Sequence, residues 1–429
     1  MSKLWQTHAT TLHPVVEQYT VGNDHKLDKR LLPFDIEASK AHAKGLGRIG
    51  ILTQAEVEQV ITHLDDILVL FEAGTFEITQ QDEDCHTAIE NYLVEKLGAL
   101  GKKVHTGRSR NDQVLVATRL YTKKKLKQIS ENVVHLEEIF LMFAIRYRMV
   151  PMPGYTHTRR AMPSSVGHWA ASYLEEMINN HMILESAYKL NDQNPLGAAA
   201  GFGVNLPLDR EFTSRELGFD RVQINSLYCV NSRGTTESYI LSVLTQIMMT
   251  LGRLANEMIW FTGKGFSFFD LPDQFTTGSS IMPQKRNPDV FEILRANVNV
   301  IVGLQTQVKD ICKNLISGYN RDTQLTKEPL IKALGITRRS LEVVAVVMEK
   351  ITPKEEHLRE AMTSELFAVH QANKYVKEGM PFRDAYQKVK DNLDQLEAID
   401  PVEAIKEVTS LGGPGNLGLD HYTIDTPLS

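Results

Sequence analysis

Between Asn225 and Phe261, Ile240, Leu244, Ile247, Leu251, Leu254 and Met258 follow one another at steps of four and three. Leu241, Met248 and Ala255 add a second stripe seven residues apart. Two stripes side by side make an apolar arc wider than a surface helix needs. A helix of that kind requires partners on more than one side, as in a bundle. Helical spacing also marks the segment after the polar cluster at 105–113 as far as about Tyr147. That is roughly 35 residues, or about 50 Å at 1.5 Å per residue. Ser164 to about Leu190, Val290 to about Leu304, and the stretch after Pro329 to about Lys350 read the same way. Alternating strand patterns are lacking, so the chain is expected to be all-α. A long-helix bundle at 109–352 is flanked by smaller helical parts at 1–108 and 353–429, with Ile351-Thr-Pro353 as the clearest boundary.

Bulk properties narrow the function. A 429-residue chain suffices for two or three domains, and 42% hydrophobic with 23% charged residues is ordinary for a globular protein. The net charge of −6 argues against nucleic acid or an acidic membrane as the main partner. Cys85, Cys229 and Cys312 are odd in number and far apart, which points to a reducing compartment and to no zinc ribbon. Met1 to Trp5 has no apolar run of leader type, and no uncharged apolar stretch reaches membrane-spanning length. A cytoplasmic protein is expected. No metal and no cofactor are expected either, since no second ligand follows His86 at helical spacing. Gly45-Leu-Gly-Arg-Ile-Gly50 fits G-x-G-x-x-G but follows a helical pattern rather than a strand. These glycines are therefore read as ending one helix and starting the next. Thr53 with Glu56 is a capping box for the helix that follows.

The densest polar stretch runs from Gly278 to Asp289: Gly-Ser-Ser-Ile-Met-Pro-Gln-Lys-Arg-Asn-Pro-Asp. Asn287 suits an N-cap, Pro288 the first helical position, and Asp289 the first turn. A Gly/Ser loop thus feeds the positive end of a long helix, a place that holds carboxylate or phosphate. His105-Thr-Gly-Arg-Ser-Arg-Asn-Asp-Gln113 precedes another long helix, and its arginines beside Asn111 form a forked anion receptor. Pro151 to Arg160 reads as a turn between long helices that presents Thr156 and His157 at a bundle end.

These strings together resemble the fumarase/aspartase superfamily, and within it the argininosuccinate lyases, over nearly the whole chain. The resemblance implies a fumarase/aspartase-like helical fold and a lyase that eliminates fumarate from argininosuccinate, leaving arginine. It also implies a homotetramer whose active sites are shared between subunits. Residue by residue, it makes Ser39, Asp82, His86, Arg110, Asn111, Thr156 and Asn287 substrate-binding. Tyr319, Gln324 and Lys327, in Tyr319 to Pro329, match positions that hold the non-fumarate part of the substrate. Ser279 matches the base and His157 the catalytic histidine.

Elimination beside a succinyl group needs a base for a weakly acidic proton and donors for the resulting dianionic carboxylate. It also needs an acid for the leaving nitrogen and receptors for two carboxylates. With Ser279 as base, Lys285 and Asn287 hold the dianion and His157 acts as general acid or relay. Glu292, about one turn into the following helix, stands where it can orient that imidazole. The residues alone do not separate Ser279 from Ser280.

Departures exist. The family string after the histidine continues Leu-Gln, against Thr158-Arg159 here, and Asn231 to Glu237 is less acidic than usual. A lyase acting on another N-substituted succinate, such as adenylosuccinate, therefore stays open. A lens-type structural protein is disfavoured by the retained polar residues. A serine hydrolase is disfavoured because Ser279 lacks a G-x-S-x-G elbow.

Overall fold

The computed structural model describes residues 13–396 and 399–428. The Met1 to Trp5 stretch lies outside them. Helix dominates, and its long members are Arg110–Arg146, Val166–Asn191, Thr235–Thr262, Asp289–Cys312 and Lys327–Met348. Among the described residues no helix is long and apolar enough to cross a membrane. Both stripes of the Thr235–Thr262 helix are buried, from Ile240 to Met258 and through Leu241, Met248 and Ala255. Each fully buried Leu or Ile contributes about 1.5–3 kcal/mol, so packing rather than propensity holds this helix. It begins at Thr235. A short helix, Ser226–Asn231, comes first, and Gly234 breaks the run. Its φ of 86° is left-handed, and a Cβ there would lie 2.0 Å from Cys312 Sγ.

The chain divides into two compact units. One comprises Met1–Lys127, Leu184–Val243 and Gly303–Leu334; the other comprises Gln128–Ile183, Leu244–Val302 and Gly335–Ser429. In the first, Leu32–Arg48 and Gln54–Glu72 are helices, and the second opens with the expected capping box: Thr53 Oγ1 accepts from Glu56 N–H, and Glu56 accepts from Thr53 N–H. Of the Gly45–Gly50 string, Gly45 and Gly47 lie inside the first helix, which continues to Arg48, and Gly50, at φ 74°, ends it. Gly47 serves close packing instead, because a Cβ would sit 2.9 Å from Val57 of the next helix. Ala38, Ala41, Val116, Leu120, Leu196 and Leu217 form a core cluster of this unit.

The second unit holds an aromatic cluster. Tyr173 stacks on Phe140 at 5.5 Å between centroids, and Trp169 meets Tyr173 and Phe269 at 5.4 and 5.2 Å. Glu257 accepts from Trp169 Nε1 and Tyr173 OH, both at 2.7 Å, which satisfies the polar ends of a mostly apolar group. Residues beyond Pro353 form short helices around small cores, one made of Met362, Leu366, Phe367 and Ala404.

Glu137 is the costly member of this unit. It is fully buried, and neither carboxylate oxygen has a hydrogen-bond partner. Burial, with Asp425 and Glu138 adding repulsion, pushes its carboxyl up to about 8. A carboxyl raised in the folded state costs nothing below its unfolded value of about 4.5. The cost grows as pH rises towards the folded value and is constant above it. Glu137→Gln should therefore leave stability nearly unchanged at pH 4 and raise it by on the order of 4 kcal/mol at pH 8. Urea denaturation of both proteins across that range reads the effect, and parallel pH profiles would contradict it.

Candidate active site

The sequence-derived site residues fall in both units. Ser39, Asp82, His86, Arg110, Asn111, Tyr319, Gln324 and Lys327 lie in the first; Thr156, His157, Ser279, Lys285, Asn287 and Glu292 lie in the second.

In the first unit Ser39 and His86 line a small pocket of about 10 Å3 together with Glu90, His105, Arg108 and Gln113. Asp84 caps the Cys85–Leu97 helix by accepting from Thr87 N–H, which fixes His86 in its first turn. His86 Nδ1 donates to Asp35 Oδ2 at 2.7 Å, while Nε2 has no partner. Burial alone would lower this imidazole. Asp35, with Asp84 and Asp28 behind it, outweighs burial and raises it. The Asp35 carboxylate thus favours the protonated form of the ring. Arg108 donates to Ser39 Oγ at 3.0 Å. Arg110 is held by Glu83 at 2.9 Å and by Asp84, which fixes the guanidinium at the helix start beside Asn111. Asp82 faces elsewhere: it accepts from Thr79 N–H and Oγ1 at 2.9 and 2.7 Å and from Asn91. Glu83 and Asp84 are the buried acids that meet the arginine. Sequence reading singles out neither Arg108 nor Asp35, although Arg108 lies inside the His105 to Gln113 string.

Lys327 is almost fully buried, with Nζ 2.6 Å from Asp28 Oδ1 and 3.2 Å from Asp24 Oδ2. Asp28, Cys85 and His86 offer donor atoms within 4.8 Å of one another, so neighbours absent along the helix arrive from another element. The Lys327 ammonium already supplies the cation there, and burial holds the Cys85 thiol well above its ordinary range. Gln324 Nε2 donates to Thr20 O at 3.0 Å, and the Tyr319 ring lies 5.8 Å from the Arg233 guanidinium.

In the second unit, Pro151–Thr156 and Arg159–Ser165 form an antiparallel hairpin, not the plain turn expected from the sequence. Its two-residue loop is His157-Thr158, with φ of 50° and 61°. Two left-handed residues make a type I′ turn, which normally takes Asn-Gly. The turn holds His157 exposed at the tip of a rigid ribbon. A β-branched residue at positive φ is strained by roughly 1–2 kcal/mol. Thr158→Gly should accordingly raise stability by about 1 kcal/mol. A thermal melt no higher than that of the native protein would show that the turn carries no such strain.

The Gly278 loop is pinched at its base. Thr277 and Asn287 exchange backbone hydrogen bonds at 3.1 and 2.8 Å, and Asn287 Nδ2 donates to Gly278 O at 3.3 Å. Because Asn287 is used in that pairing, the helix begins one residue later than expected, at Asp289, and Pro288 O accepts from Phe291 N–H. Inside the loop, Ser279 Oγ accepts from Met282 N–H at 3.2 Å and from Ile281 N–H at 3.4 Å. Two backbone amides aimed at one hydroxyl oxygen are suited to stabilising it as an alkoxide. Lys285 and Glu292 are exposed.

A long-helix fold and a Gly/Ser loop with a serine under two amides define the class. A family model described as Lyase matches residues 13–303. In fold, the chain is similar to a crystal structure of EDDS lyase in complex with formate, with a TM-score of 0.80, 22% identity, and coverage of 96% of this chain and 89% of that one. It is also similar to a class II fumarase from Schistosoma mansoni, with a TM-score of 0.75, 16% identity, and coverage of 90% and 94%. Among curated relatives, the argininosuccinate lyase of Thermotoga neapolitana is 44% identical over 387 residues, 90% of this chain and 97% of its own. That of Sorangium cellulosum is 45% identical over 418 residues, 97% of each chain. The chain belongs to the argininosuccinate lyase family.

Proposed function

We propose that this protein eliminates fumarate from argininosuccinate and releases arginine. Identity above 40% to argininosuccinate lyases over nearly the full length of both chains is the observation that carries the substrate. In this reading Ser279 takes the proton beside the succinyl carboxylate. The Ile281 and Met282 amides stabilise its alkoxide, as their geometry allows. Lys285 and Asn287 hold the dianion as it forms, an interaction stronger in the transition state than in the ground state. His157 protonates the leaving nitrogen or relays that proton, and Glu292 orients it. His86, Ser39, Arg110, Asn111 and Thr156 receive the substrate's carboxylates and polar edges. Asp82, Tyr319, Gln324 and Lys327 complete the contacts the family pattern implies, and no cofactor or metal takes part.

The working protein in this reading is a cytoplasmic homotetramer with active sites made from several subunits. Its chain is organised as 1–108, a central bundle at 109–352, and 353–429. His157→Asn and Lys285→Ala proteins, each inactive alone, should regain activity when unfolded and refolded together. Fumarate absorbance reports turnover, with argininosuccinate and adenylosuccinate offered separately. No recovery from mixed tetramers sinks the shared site, and turnover of adenylosuccinate alone sinks the substrate.

A further inference from the structure

The second unit contains a cavity of about 540 Å3 that the proposed chemistry does not use. Its rim carries Arg159, Arg160, Lys264 and His357, against the single acid Glu360. Its floor is aromatic. Tyr155 meets Phe266 edge-on at 5.9 Å, and Phe266 meets Phe268 at 5.3 Å. Among the described residues, Arg159, Arg160 and Lys264 form no ion pair. The Arg160 charge acts on the Tyr155 hydroxyl and on Glu365.

We propose that this cavity is a binding site for a small oxyanion carrying at least two negative charges, either a phosphate or a polycarboxylate. Three cations left unpaired around one concavity repel one another and focus a positive field into it. Two guanidinium groups offer fork geometry matched to phosphate or carboxylate oxygens, and Lys264 adds a point charge to the same lining. A volume of this size holds a tricarboxylate easily, since ligand clefts usually begin at about 300 Å3. The cavity includes Thr158, next to His157 in the hairpin turn, so its occupant touches the turn that presents that histidine.

Titration calorimetry of the assembled native protein with inorganic phosphate and, separately, with citrate at low ionic strength tests this. One saturable site per chain is expected for at least one of the two, and the tighter anion identifies the source chemistry. The double variant Arg159→Gln/Lys264→Gln should bind that anion at least about tenfold more weakly. Lys264→Arg should stay within about threefold of native, and Lys285→Ala should bind it unchanged. Circular dichroism confirms that each variant is folded. If the double variant does not fold, Lys264→Gln alone should weaken binding at least about threefold. Failure of both anions to saturate the native protein, equal affinity in the charge-deleted variant, or loss of binding in Lys285→Ala would each overturn the assignment.

Discussion

Replacing Ser279 by alanine should lower turnover of argininosuccinate by on the order of a thousandfold or more while changing substrate affinity little. The substitution deletes one oxygen from a loop whose frame is built by other residues. The Thr277–Asn287 backbone pair closes the base, and Asn287 Nδ2 ties the side chain to Gly278. In the proposed mechanism the receptors for the substrate's carboxylates therefore stay, and only the proton acceptor goes. Ser280→Ala is the matched control. It removes a neighbouring hydroxyl that is exposed, and it should retain most of the native rate. The decisive measurement is the rate of fumarate formation at saturating substrate, paired with a binding titration. Near-native turnover in Ser279→Ala would show that the base is another group. A large fall in both serine variants would point to loop disruption instead.

Lys327→Met should destabilise the protein by about 3–5 kcal/mol. The ammonium lies against two carboxylates, and Asp28 is as fully buried as the lysine is nearly so. Burial by itself would lower the lysine's pKa; Asp28 and Asp24 more than restore it, so it stays charged. Removing it leaves Asp28 with Cys85 N–H as its remaining donor, at 3.1 Å. The double variant Lys327→Met/Asp28→Asn removes both charges and should recover at least half of the loss. Denaturant titration measures the stability, and a separate titration with argininosuccinate measures affinity in the folded variants. A native midpoint for Lys327→Met would mean that the ion pair does not support the fold. Weak argininosuccinate binding by the stable double variant would support the substrate role that the Tyr319 to Pro329 string implies.

The sequence by itself determined what depends on neighbours along the chain. The arc from Ile240 to Met258 announces a surrounded helix because side chains three and four apart share a face however the chain later folds. Thr53 and Glu56 close their capping box across three residues. The Gly278 to Asp289 string could be assigned chemistry because its loop, its base pair and the helix after it are contiguous. Tertiary structure decided whatever depends on distant partners. The Pro151–Ser165 hairpin was hidden because Pro151, Pro153 and Pro163 read as strand breakers; a two-stranded ribbon has open edges, where a residue without N–H is tolerated. His86 meets the carboxylate that raises its pKa, Asp35, across 51 positions, and Lys327 meets Asp28 across 299. Periodicity carries no information about such pairs, because closing long loops is a property of the whole fold and not of any window within it.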